Sequence, residues 1–155
     1  MKRYKDLLAD ARRRVAEVMP WELRDRLAAM TPPLLVDVRE ADEFARVHIP
    51  GSLHVPRGVL EQACEWDYDE TVPALAAGRQ TPIVLVCRSG NRSLLAADVM
   101  QALGFTAVVS LQTGVRGWND FELPLVDAAG QRVDGDLAAA WLAPPLRPDQ
   151  RRPAP

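Results

Sequence analysis

The stretch Val84-Leu85-Val86-Cys87-Arg88-Ser89-Gly90-Asn91-Arg92-Ser93 sets a cysteine at the end of an apolar run, then a polar turn, then the start of a helical pattern. In open α/β sheets, ligands bind at that carboxyl edge of the strands. Consecutive backbone N–H groups curving around one point make an anion-binding nest, and the free amides of a helix start add to it. Gly90 supplies the backbone freedom for the turn, and Asn91 or Ser93 is the expected helix cap. Arg88, Arg92 and the helix dipole all favour an anion at the Cys87 sulfur. Such surroundings lower a thiol pKa from ~8.5 to ~3.5–7.5, and each unit is worth about 1.4 kcal/mol toward the thiolate. The residues fit a nucleophilic thiolate, a persulfide or a bound oxyanion equally well.

A cysteine closing a buried strand is ordinarily a small hydrophobe. The cationic, polar neighbours of Cys87 argue instead for a wet, reactive place. Cys64, within Leu60-Glu61-Gln62-Ala63-Cys64, has the opposite surroundings and reads as a packed structural thiol. With two cysteines and no CxxC spacing, a disulfide framework and a thiolate zinc site are both excluded. No metal is expected at His48 or His54, since neither has a second ligand at suitable spacing; both read as backbone hydrogen-bonding residues. Asp37, Arg39 and Glu43 read as an ion-pair and hydrogen-bond set holding a strand-to-helix turn, with a supporting place for Asp37 or Arg39 at the site rim as the lesser alternative. Trp118 reads as core.

These residues need a frame. The 155 residues allow one compact domain, large enough to bury a core without disulfides or metal. Leu34 to Val38, Ile83 to Val86 and Ala107 to Val109 are continuous apolar runs without alternation, the pattern of parallel strands covered on both faces. Helical segments lie between them at Glu40 to Arg46, Gly58 to Cys64, Thr71 to Ala77 and Arg92 to Leu103, with Gly104 stopping the last. Alternation of this kind predicts βαβ units in an α/β fold. Tyr4 to Met19 and Pro20 to Met30 read as two helical stretches, with Pro20 opening the second. From Pro144 the chain carries five prolines and almost nothing to bury, a composition that predicts a disordered tail. The expected division is a helical extension over 1–19, the main domain over 20–125, and a C-terminal extension over 126–155.

Nineteen Lys and Arg against 21 Asp and Glu give a net charge of −2, which makes no electrostatic case for nucleic acid or an anionic membrane as partner. No window approaches the ~18 apolar residues of a membrane helix, and Met1 to Val18 lacks an apolar core of signal-peptide length. The cytoplasm, where a thiol stays reduced, is the expected location.

The chain resembles the single-domain rhodanese family over roughly residues 20 to 125. Val36-Asp37-Val38-Arg39-Glu40 through Glu43-Phe44 to His48-Ile49-Pro50-Gly51-Ser52, with Val55-Pro56 following, resembles its N-terminal signature. Cys87 to Ser93 resembles its active-site loop, and Gly114-Val115-Arg116-Gly117-Trp118 its closing motif. Thr113 departs from the pattern, standing where the family often has a second glycine. The resemblance implies a central parallel sheet of about five strands with helices on both faces. It also implies that Cys87 is the nucleophile of a sulfurtransferase, taking sulfur from thiosulfate or a persulfide donor and passing it to cyanide, a thiol or a protein cysteine. No cofactor is implied. The amides from Arg88 through Ser89, Gly90, Asn91 and Arg92 to Ser93 would hold the persulfide, and Arg88 and Arg92 the anionic donor. Two alternatives stand beside this: a persulfide-carrier module with little turnover of its own, and a phosphatase or arsenate reductase. Rhodanese-fold enzymes of the latter kind place five residues between cysteine and arginine; Cys87 and Arg92 have four between them. The acidic, aromatic segment Glu65 to Glu70 is a candidate for the rim.

Overall fold

Strands that are apolar on both faces require a layer of helices on each side. The computed structural model, which describes residues 1–153, has that arrangement. Strands β1 (Glu17–Val18), β2 (Leu34–Asp37), β3 (Leu53–His54), β4 (Ile83–Val86) and β5 (Val108–Leu111) form one sheet in the order β1-β5-β4-β2-β3. Every neighbouring pair is parallel. At the centre, β4 has Leu34 to Asp37 in register on one side and Val108 to Ser110 on the other. The helices are α1 (Tyr4–Arg12), α2 (Pro20–Leu27), α3 (Ala41–Arg46), α4 (Leu60–Ala63), α5 (Pro73–Ala76), α6 (Asn91–Ala102), α7 (Gly114–Asp120) and α8 (Gly135–Leu142).

The two-residue period of a strand sends alternate side chains to opposite faces, and β4 divides the core accordingly. Ile83, Leu85 and Cys87 join Leu8 and Ala11 of α1 and Leu94, Ala97 and Met100 of α6. Val84 and Val86 join Leu23 of α2, Val115 and Trp118 of α7, and Ala138 and Leu142 of α8. The expected α/β sheet of five parallel strands with helices on both faces is what the chain forms.

The N-terminal segment departs from the expected single helix. α1 stops at Arg12, and Glu17 and Val18 lie as an edge strand in register with Ser110 and Leu111. Leu8, Ala11, Val15 and Val18 are all buried, so residues 1–19 complete both the sheet and one of its faces. The three- and four-residue apolar spacing over Leu8, Ala11 and Val15 is real, but β5 leaves backbone groups on its open edge. The Ser110 and Gln112 amides donate to the Ala16 and Val18 carbonyls, and a helix continued to Met19 would leave those amides unpaired. The segments expected over 58–64 and 71–77 shorten to a 3₁₀ turn at Arg57–Val59 followed by α4, and to α5.

At the other end, the Asp134 side chain caps α8 by accepting from the Asp136 and Leu137 amides, and α8 places Ala138 and Leu142 in the core. From Ala143 to Pro153 every residue is exposed. Ala154 and Pro155, the end of the tail expected to be disordered, lie outside the described residues. Among the described residues no helix is long and apolar enough to cross a membrane.

Cys64 is fully buried, as expected of a packed thiol, and burial pushes it up to about 11. A thiol raised in the folded state above its unfolded value of ~8.5 adds stability that is whole below that pH and lost above it. The loss should run from ~8.5 to about 11 and reach roughly 3 kcal/mol. Urea denaturation of the wild type and Cys64→Ala at about pH 8 and about pH 10.5 checks this, the variant being expected to show the smaller alkaline decline.

Candidate active site

Cys87 follows directly on β4, and three residues later Gly90, at φ +97°, turns the chain into α6. The Sγ atom sits inside this turn. It accepts from the Gly90 amide at 3.1 Å and lies 3.3 Å from the Ser93 hydroxyl. Ser110 of β5, fully buried, donates to Ser93 Oγ at 2.8 Å. With that lone pair occupied, the Ser93 proton points to Sγ or to its other acceptor, the Gly90 carbonyl at 3.2 Å. Asn91, Arg92 and Ser93 open α6, and their amides have no preceding helical carbonyl to bond. The arrangement concentrates donors on one sulfur and suits negative charge there or on an atom attached to it.

Two expectations change here. Gly90 rather than Asn91 or Ser93 is the N-cap, and no side chain caps the helix; the Ser93 hydroxyl is drawn to the sulfur instead. Cys87 is also not in a wet place, being only 1% exposed. Its side chain leans on the apolar face shared with Leu85 and Leu94, and the polar residues of the loop surround it from the other side.

The loop is held by the turn between β5 and α7. The amides of Val115 and Arg116 donate to the carbonyls of Cys87 and Arg88 at 2.9 and 3.0 Å. Gly114, at φ +62°, makes this approach possible: a Cβ there would lie 2.4 Å from the Cys87 carbonyl oxygen and 2.6 Å from the Arg88 carbonyl carbon. Thr113 takes a left-handed backbone, φ +69°, without being glycine, which is costly for a β-branched residue.

Asp37 and Arg39 form a buried pair beside the loop. Arg39 Nη2 lies 2.7 Å from Asp37 Oδ2 and 2.6 Å from the Val47 carbonyl. Glu43 is not part of that pair. Its two oxygens each lie 2.7 Å from Arg92, and one accepts from the Glu40 amide. Burial alone would raise the Glu43 carboxyl, but the Arg92 guanidinium and the Glu40 amide outweigh it and hold it below the usual carboxylate range. The same pairing raises Arg92. Arg92, expected to grip an anionic donor, is thus occupied by Glu43. Arg88 makes no ion pair among the described residues.

His48 and His54 do bond backbone, at the Phe44 and Arg39 carbonyls, and both rings stack on Phe44. Trp118 is core, its indole N–H donating to the Pro124 carbonyl. Among the described residues no group of His, Cys, Asp or Glu is placed to hold a metal. Ser110 escaped the sequence reading. The available signal was a lone hydroxyl in the buried run Val108-Val109-Ser110-Leu111, in register with Leu85 two residues before the cysteine.

A small cavity of about 30 Å³ adjoins the loop, lined by Arg39, Glu43, Arg46, Val47, Arg88, Trp141 and Leu142. A larger groove of about 720 Å³ runs between the end of α7 and the start of α8, and no loop residue lines it. Of the two, only the smaller has a loop residue, Arg88, in its wall.

Residues 19–121 match the model of the rhodanese-like domain. The chain belongs to that family. It is 34% identical over 84 residues to a putative sulfur carrier protein, YrkF, of Bacillus subtilis, covering 54% of this chain and 40% of that one. It is 29% identical to a sulfurtransferase of Allochromatium vinosum, covering 75% of this chain and 99% of the relative. Human single-domain sulfurtransferase TSTD1 superposes with a TM-score of 0.59 at 30% identity, over 68% of this chain and 96% of that one. A Rhodopseudomonas palustris protein of unknown function, described as a possible tyrosine phosphatase, superposes with a TM-score of 0.72 at 25% identity, over 80% and 94% of the chains. The chain spans 40% of the Bacillus protein and 22% of a yeast adenylyltransferase and sulfurtransferase that it also matches.

Gly114→Ala is expected to lower stability by at least ~2 kcal/mol, because the methyl group meets backbone and not a movable side chain. Thr113→Gly should raise it by about 1 kcal/mol by relieving the left-handed strain. Thermal denaturation of the two variants tests the pair; equal effects in the same direction would contradict the close approach at Gly114.

Proposed function

We propose that the protein is a sulfurtransferase in which Cys87 carries sulfur as a persulfide. The observation that carries this reading is the Cys87 sulfur, enclosed in its loop with the Gly90 amide and Ser93 hydroxyl directed at it. The Cys87 thiolate attacks the outer sulfur of a donor such as thiosulfate. A new S–S bond forms, the bond to the sulfonate sulfur breaks, and sulfite leaves with the electron pair. A thiophilic acceptor, cyanide in an assay or a thiol in the cell, then takes the terminal sulfur and returns the Cys87 thiolate. Splitting the transfer into two half-reactions gives ping-pong kinetics. The amides of residues 88–93 stabilise the persulfide anion, and no acid–base histidine or cofactor is needed. A reducing setting such as the cytoplasm keeps the thiol available.

The relatives named as sulfur carrier and sulfurtransferase support the same chemistry. Whether turnover or carriage is the working mode is decided by the second half-reaction. A third reading, phosphomonoester hydrolysis, is favoured by the description of the Rhodopseudomonas neighbour. Two observations favour sulfur over phosphate: only four residues separate Cys87 from Arg92, and Arg92 has given both arms of its fork to Glu43. Bidentate phosphate binding would need that fork free.

Reduced protein incubated with thiosulfate should gain the mass of one sulfur atom, and cyanide should remove it as thiocyanate. Cys87→Ser should gain nothing. Loading without turnover would assign the carrier role; no loading from thiosulfate or any persulfide would sink the reading, and hydrolysis of an aryl phosphate would then be tested. Ser93→Ala should slow loading about tenfold, the worth of one hydrogen bond to a charged atom, and stopped-flow measurement of sulfite release reads this directly.

A further inference from the structure

Among the described residues four polar or charged side chains are buried: Asp37, Arg39, Ser93 and Ser110. The first two neutralise one another beside the loop. The other two share a hydrogen bond of 2.8 Å, and of these Ser93 is the one bonded to Cys87 Sγ. Ser110 stands in the apolar run Val108-Val109-Ser110-Leu111, where an alanine would pack with no buried hydroxyl to satisfy. Its register beside Leu85 puts it on the sheet face that carries Leu85 and Cys87.

The direction of the serine–serine bond follows from the acceptors at hand. Among the described residues the Ser110 hydroxyl has one partner, Ser93 Oγ, and it has no exposed surface. If Ser93 donated to it, the Ser110 proton would be left buried without an acceptor. Ser110 therefore donates, and the Ser93 proton remains for the Gly90 carbonyl at 3.2 Å or Cys87 Sγ at 3.3 Å. Those two acceptors respond differently to charge. Beside a neutral sulfur the carbonyl is the stronger acceptor; once Sγ is an anion, the bond to it is charge-assisted and stronger. The switch needs Ser93 Oγ to stay within reach of both, whereas a serine side chain is otherwise free to take another rotamer. Ser110 pins that oxygen.

Charge returns to Sγ in the second half-reaction. Cyanide attacks the terminal sulfur of the persulfide and forms a C–S bond, the S–S bond breaks, and its electron pair goes to Sγ as thiocyanate departs. We propose that Ser110 is a positioning residue for this step: it holds Ser93 so that the hydroxyl proton turns from the Gly90 carbonyl to Sγ as the charge arrives. This rests on the sulfurtransferase reading, and it gives a part in the transfer to a residue on β5 that never touches the sulfur.

Protein loaded with sulfur and freed of donor is mixed with cyanide, and thiocyanate is followed through a single turnover in the wild type, Ser93→Ala, Ser110→Ala and the double variant. Ser93→Ala should slow the limiting rate about tenfold, the worth of one hydrogen bond to a charged atom. Ser110→Ala should slow it about threefold to tenfold, with the cyanide concentration at half that rate within about twofold of wild type. The double variant should be about as slow as Ser93→Ala alone, because Ser110 acts on the sulfur only through Ser93. A loosened core would instead add its own loss in the Ser93→Ala background. Additive losses, or a rate within about twofold of wild type for either single variant, would overturn the proposal while leaving sulfur transfer intact. A wild type that takes sulfur from neither thiosulfate nor a persulfide overturns the sulfurtransferase reading, and the part of Ser110 with it.

Discussion

The loop around Cys87 depends on the backbone of residues 87–88 passing within contact of Gly114. At that distance the Val115 and Arg116 amides satisfy two loop carbonyls, while the Gly90 amide donates to the sulfur. A peptide chain cannot point carbonyls and amides the same way through a tight turn, so an amide nest on one side obliges something else to receive the carbonyls on the other. The first turn of α7 does this. Gly90 is bound by the same contact from the opposite direction: a Cβ there would be 3.0 Å from the Thr113 amide nitrogen and 3.2 Å from the Leu111 carbonyl oxygen. The two turns interleave, and neither can take its shape without the other.

This constraint explains how the Cys87 sulfur can stand in an almost dry position among polar neighbours. The fold surrounds it with donors that are already oriented, the Gly90 amide and the Ser93 hydroxyl. The Ser110–Ser93 hydrogen bond belongs to the same logic. A buried hydroxyl without a partner is expensive, and by donating to Ser93 the Ser110 hydroxyl satisfies itself and leaves its neighbour's proton for Cys87 Sγ or the Gly90 carbonyl. Among the described residues no buried side-chain nitrogen or oxygen lacks a partner, so the polar layer beneath the loop is closed on itself. Charge is handled the same way. Asp37 neutralises Arg39 inside the protein, Glu43 neutralises Arg92 at its margin, and Arg88 keeps its charge at the rim.

How much of this was legible in the residue order depends on the range of the interaction. Cys87 at a strand end, Gly90 in the turn and the run of Leu94, Leu95, Ala97 and Val99 are local signals, and they placed β4, the loop and α6 correctly within a residue or two. The partner of Arg92 was not legible, since Glu43 stands 49 residues away and an arginine beside a nucleophile looks the same whether free or paired. Glu17 and Val18 were misread as helix because an edge strand of two residues is defined by the neighbour it pairs with, not by its own pattern. Ser110 was overlooked for a related reason: its polarity has meaning only once β5 is set in register with β4.

The two ends of the chain finish what the central motif begins, and they do so on opposite faces. α1 covers the face that carries Cys87 and packs against α6, so the helix whose first turn cradles the sulfur is held from outside by the N-terminal segment. α8 covers the other face, packing on α7, the helix whose first turn receives the loop carbonyls. Each of the two helices that build the nest therefore has a backing element at a chain terminus. A six-residue loop with few internal bonds is soft by itself; braced through α6 on one side and α7 on the other, it can hold its backbone in one arrangement around the Cys87 sulfur.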